Sequence, residues 1–226
     1  MGVAIASMLP MAVAVAVSPI QIIAVILILL SPRAKTAGPT FLIGWLVGMI
    51  VIGGLALALS DSIGVGRKAS GPSTIGALLQ LALGALLLLL AVKQWRSYRS
   101  KTEEKALPGW MAGISSASPI RAAGMGAALS GVNPKIVVFT IGASVSIAQA
   151  GASTAVELVA LAIFIILGSI TVIVPVTWRL ASPDRSSAVL ATWHDWLVRN
   201  NAVVMAILLL VFGAHLVGNG VTALVS

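Results

Sequence analysis

A chain of 226 residues that is 59% hydrophobic and 9% charged, with a mean hydropathy of +1.08, lacks the polar surface that a water-soluble globule needs. The formal charge of +8 and pI near 11.0 suggest polyanions at first sight. The 14 Lys and Arg, however, cluster in short connections between apolar runs, where lipid headgroups and topology account for them and nucleic acid does not. With no cysteine, the chain has no disulfide, thiolate nucleophile or cysteine-ligated metal.

The apolar runs are about 18 residues or longer, enough for a helix to cross a ~30 Å hydrocarbon core, whereas barrel strands need short alternating segments. The expected fold is an all-α integral membrane protein with six transmembrane helices. The first run, 3–30, has no Lys or Arg before Arg33, as expected of a retained span rather than a cleaved leader. Pro10 and Ser18-Pro19-Ile20-Gln21 interrupt it, and Ser31-Pro32-Arg33-Ala34-Lys35 ends it. As one straight helix it would measure about 42 Å, so a broken or tilted helix is expected.

The second span, 41–60, carries Gly44 and Gly48 at the spacing that permits close helix approach, and ends at Asp61. A glycine- and serine-rich loop over 62–74 leads to a third span at 75–92. The basic segment 93–117 reads as a loop whose Trp95 and Tyr98, set among cations, suit a membrane interface.

Ser118-Pro119 has the form of an N-cap with proline at the first helical position. It opens a run, 118–149, that would reach about 47 Å unbroken and holds the helix-breaking pentad Gly131-Val132-Asn133-Pro134-Lys135. The fifth span, 154–178, contains Gly168 and Pro175, and Thr154-Ala155-Val156-Glu157 fits a capping box. Ser182-Pro183-Asp184 then starts an interfacial amphipathic helix over about 184–198. Val189, Leu190, Trp193, Trp196 and Leu197 lie on its apolar side, and Arg185, His194, Asp195 and Arg199 on its polar side. The sixth span covers 203–225. Loop cations place both termini outside a bacterial plasma membrane.

Shifting the chain by 115 positions lays Pro19 on Pro134 and Gly53 on Gly168. The chain thus divides into two three-helix repeats, 1–92 and 118–226, joined by 93–117, with broken first and fourth spans. An odd number of spans per repeat inverts the second, as in transporters whose sites lie at broken helices near the midplane. Asn133, Pro134 and Lys135 supply freed backbone groups, an amide and a cation suited to a carboxylate, phosphate or sulfate. Ser18, Pro19 and Gln21 are expected on the opposing face, and Arg121 as a flank anchor or further ligand. Asp61 and Glu157 are the candidate proton carriers, with anchoring and capping as the simpler roles. His194 and His215 lack metal spacing, no Walker motif is present, and no catalytic constellation is apparent, so neither an enzyme nor a cofactor is expected.

The six-span size, the Ser-Pro of the first half and the Asn-Pro-Lys of the fourth span resemble the lysine-exporter (LysE) superfamily. Amino-acid exporters of that group carry Pro-Gly-Pro where this chain has Ser18-Pro19-Ile20-Gln21. The stretch from Ala24 to Gly48 is more similar to the GAP branch, the glycolipid-addressing proteins named for peptidoglycolipid and sulfolipid export. That resemblance implies export of an anionic envelope glycolipid or its precursor, with membrane lipids as partners. It leaves open an association with a larger lipid transporter and a homodimer. The alternatives are export of a small solute such as an amino acid, and a non-transporting scaffold for lipid-synthesis enzymes.

Overall fold

Proline and glycine punctuation divides this chain more finely than the six apolar runs suggest. The computed structural model describes residues 2–62, 74–99, 114 and 117–225, and no strand occurs among them. The first run forms α1 (Gly2–Ala16) and α2 (Pro19–Leu29), bent by 51°, and the fourth forms α5 (Pro119–Gly131) and α6 (Pro134–Gln149), bent by 59°. In both, a proline that cannot donate a hydrogen bond opens the second half-helix. The second run is the unbroken α3 (Ala34–Ser62) and the third is α4 (Thr74–Arg99). Among the described residues three helices are individually long and apolar enough to span, and counting each bent pair as one span brings the number to six. Large side chains such as Ile43, Leu89 and Ile207 stand more than half exposed around the bundle, the arrangement expected of a surface solvated by lipid.

Three expectations require correction. The fifth span is not continuous: α7 (Thr154–Gly168) and α8 (Ile170–Ala181) meet at Ser169 with a 59° bend. The amphipathic segment 184–198 is not a separate helix, since α9 runs without a break over Pro183–Val225. Within it Ser186, Leu190 and Leu197 form the buried stripe, while Trp193 and Trp196 remain about half exposed. Finally, 93–99 belongs to α4 rather than to a loop, and the remaining basic positions up to 113 lie outside the described residues.

Packing pairs the halves by exchange: α3 lies along α5, its counterpart α1 lies against α7, and α4 pairs with α9. The α3–α5 approach depends on glycine. A Cβ on Gly44 would meet the Ala123 carbonyl oxygen at 1.9 Å, and one on Gly126 would meet that of Phe41 at 2.2 Å, so backbone touches backbone. The core between the layers is built from Met8, Met11, Ile23, Ile26, Phe41 and Trp45, all fully buried, and from Phe139, which meets Phe212 edge to face at 5.7 Å. Of the 115-position matches, Pro19 and Pro134 keep one role. Gly53 sits inside unbroken α3, whereas Gly168 ends α7.

Candidate functional site

Breaking a helix inside hydrocarbon frees carbonyls that must find donors. At the first break, Gln21 is 2% exposed and its Nε2 donates to the Val15 carbonyl at 2.6 Å and to Thr171 Oγ1 at 3.3 Å. Thr171 in turn donates to the Ala16 carbonyl at 2.6 Å. The end of α1 is therefore capped by one residue from α2 and one from α8. Ser18 is buried with its hydroxyl directed at Met205 Sδ, 4.0 Å away, and makes no cap bond to α2. Gln21 Nε2 and Thr171 thus hold the break together, while Gln21 Oε1 is buried with no hydrogen-bond partner among the described residues.

At the second break, Asn133 is the N-cap of α6 and its Oδ1 accepts from the Lys135 amide at 3.1 Å. Pro134 has no N–H, so the start of α6 offers an anion fewer backbone donors than the sequence suggests, and side chains must supply them. Lys135 is half-buried, and among the described residues its ammonium has no hydrogen-bond or ion-pair partner. Ser118 caps α5 as expected, accepting from the Arg121 amide at 3.4 Å, and leaves the Arg121 side chain exposed.

An open cavity of about 680 Å³ lies along α5 and the second break, with α2 contributing one residue to its wall. Ile20 contributes from α2. Arg121, Gly124, Met125, Ala128 and Leu129 contribute from α5, and Val132 and Asn133 from the break. Of the predicted residues, this cavity unites Arg121 and Asn133. Lys135, Ser18 and Gln21 are not part of its wall. The α5 stripe facing it is small or apolar, with a guanidinium at the end nearest the cation-rich connections and a carboxamide at the break.

The halves differ here. In the opposite half of the bundle α1 packs on α6, and Ser7 Oγ donates to the Ser146 carbonyl at 3.3 Å. The counterpart pair under exchange is α5 and α2, the two helices held apart around the cavity.

Several residues were missed from sequence. Trp45, fully buried in α3, donates through Nε1 to Ser169 Oγ at 2.9 Å and so braces the third break, which no proline marks. Arg179 donates from Nε to the Leu29 carbonyl at 2.9 Å and from Nη1 to the Pro183 carbonyl, tying the end of α2 to the α8–α9 turn. Glu157 is fully buried in the first turn of α7. The residue at the N-cap position of α7 is Ser153, one before Thr154, so the expected capping box is out of register. The Asp61 side chain lies outside the described residues. Among the described residues no group of three His, Cys, Asp or Glu could hold a metal.

A family model described as Sap, sulfolipid-1-addressing protein, matches residues 8–222 of this chain. None of the curated proteins and none of the solved structures compared with it matches.

Proposed function

We propose, from the premise that this chain belongs to the sulfolipid-1-addressing protein family, that it moves an anionic envelope glycolipid or its precursor across the membrane. The observation that carries this reading is the α2–α5 cavity, which sets Arg121 and Asn133 beside an apolar wall of Ile20, Met125, Leu129 and Val132. A sulfate, phosphate or carboxylate would accept paired N–H bonds from the guanidinium, while the carboxamide would take a further oxygen and the apolar wall would shelter a chain. Lys135, one residue beyond Pro134, would add positive potential where charge is expensive to leave unmatched. No step in this reading makes or breaks a covalent bond, and none needs a cofactor.

One-sided access follows from the unequal halves. With α1 packed on α6 and α2 parted from α5, Arg121 lies at the end of α5 nearest the basic connection 93–117, whose cations the positive-inside rule makes cytoplasmic. Exchange of the two arrangements, with α2 closing on α5 and α1 leaving α6, would release the headgroup on the other side. The likeness of 18–48 and 130–139 to the lysine-exporter superfamily supports the same mode of action.

The test is complementation of a deletion strain, read as the surface-extractable fraction of radiolabelled anionic glycolipid. Arg121→Ala is expected to lower that fraction at least tenfold, the loss of one charge-assisted contact of about 1.5–3 kcal/mol, with Arg121→Lys intermediate. Full export by Arg121→Ala combined with Lys135→Ala would overturn the anion site. Reconstitution of the purified chain then decides whether it transports alone or beside a larger transporter.

A further inference from the structure

At the end of the bundle opposite the cation-rich connections, four elements converge: the starts of α1 and α4 and the ends of α6 and α9. They line an open pocket of about 360 Å³, within the ~300–1,000 Å³ range of small-molecule pockets. Its wall differs in kind from that of the α2–α5 cavity. Ser7, Gln80, Ser146, Gln149, Asn219 and Thr222 line it, filled out by Val3, Ala150 and Ala223, with no Asp, Glu, Lys or Arg among them. The nearest titratable group placed by a hydrogen bond is His215, whose Nε2 meets Asn219 Nδ2 at 3.2 Å.

The polar groups form an incomplete network. Gln80, 3% exposed in an apolar helix, donates from Nε2 to Gln149 Oε1 at 2.6 Å and to Ser146 Oγ at 3.2 Å. The Nε2 of Gln149 is itself buried with no hydrogen-bond partner among the described residues. A primary amide carries two donors, and leaving them unsatisfied inside a protein is costly, so a network kept only to hold helices together would be better closed or apolar. What the cluster lacks is an acceptor for that amide, and none of the described residues that line the cavity carries a charge.

We propose that this cavity is a binding site for an uncharged polyhydroxyl group, the ring of a sugar. Sugar hydroxyls donate and accept as the amides and hydroxyls of this wall do, and Gln80, Gln149 and Asn219 present carboxamides from three different helices around one space. The site shares no residue with the Arg121–Asn133 cavity, so sugar and anion do not compete for the same groups.

The test uses the full chain purified in a detergent without a sugar headgroup, with methyl β-glucoside as the neutral probe and methyl sulfate as the anionic one. Saturation-transfer NMR is expected to show transfer to the glucoside, undiminished by excess methyl sulfate. Asn219→Leu is expected to weaken that binding at least tenfold and Thr222→Val at least threefold, both at positions exposed enough to preserve folding, with the unfolding temperature as the check. Arg121→Ala leaves the glucoside signal intact and removes methyl sulfate binding, so the two sites fail separately. Absence of transfer in the wild type, equal binding by both variants, or displacement of the glucoside by methyl sulfate would each overturn the proposal.

Discussion

Replacing Gly44 by alanine tests whether the α3–α5 contact sets the wall of the α2–α5 cavity. The new Cβ would stand 1.9 Å from the Ala123 carbonyl oxygen and 2.7 Å from its carbon, both backbone atoms with no rotamer in which to escape. Restoring ordinary contact near 3.5 Å moves α5 away from α3 by roughly 1.6 Å, and a gap of even half that forfeits a large share of the dispersion between neighbouring side chains. Overpacking of this kind costs about 1–3 kcal/mol, of which the better helix propensity of alanine returns up to ~1 kcal/mol. For a chain of this size, the remaining loss of up to about 2 kcal/mol lowers the unfolding temperature by up to roughly 8 °C. Gly54→Ala is the control, because nothing stands within 4 Å of a Cβ there, and it is expected to hold or raise the unfolding temperature. Gly48→Ala falls between the two, since its closest encounter at 2.0 Å is the Ser130 hydroxyl, which can rotate. Tryptophan fluorescence during heating in detergent gives the three values. A Gly44→Ala variant as stable as Gly54→Ala would refute the argument that backbone contact places α5. The same displacement narrows the cavity, so export by Gly44→Ala is expected to fall further than its stability explains.

Three further outcomes are expected. Trp45→Phe leaves the buried Ser169 hydroxyl without its donor, which should cost about 1–3 kcal/mol in the same melting assay and loosen the third break, seen as faster amide exchange in α8. Asn133→Ala removes the cap of α6 for a loss of about 0.5–2 kcal/mol, and unchanged stability would mean that Asn133 serves the cavity alone. The chain has no cysteine of its own, so Ser7→Cys with Ser146→Cys allows a single cross-link between α1 and α6. Locking that pair is expected to stop export reversibly while anion binding persists; undiminished export with cross-linking complete would refute the exchange of open sides.

Much of the site's frame was legible in the order of residues because its causes are local. Pro19 and Pro134 break their helices wherever they are placed, since each lacks the N–H that an unbroken turn requires. Ser118 and Asn133 carry side chains that cap the next helix without help from afar, and Arg121 follows Ser118 by one turn. The third break shows the opposite case. Nothing at Gly168-Ser169 compels a bend as proline does, and the bend stands because the Trp45 indole reaches Ser169 from α3. Gln21 reads from sequence as a ligand for a cavity, yet the Val15 carbonyl and Thr171, remote in the chain, claim its amide first.

Composition by itself therefore determined a six-span helical membrane protein, because hydrocarbon solvates only apolar side chains and demands that each backbone be satisfied within its own helix. Proline and the cap residues determined two of the three breaks, and glycine spacing determined which helices could touch. Tertiary structure alone decided which polar groups at those breaks are consumed by neighbouring helices and which remain to meet a ligand. That choice depends on distances between residues more than a hundred positions apart: Gln21 to Thr171, Trp45 to Ser169, and Ile20 across the cavity from Asn133.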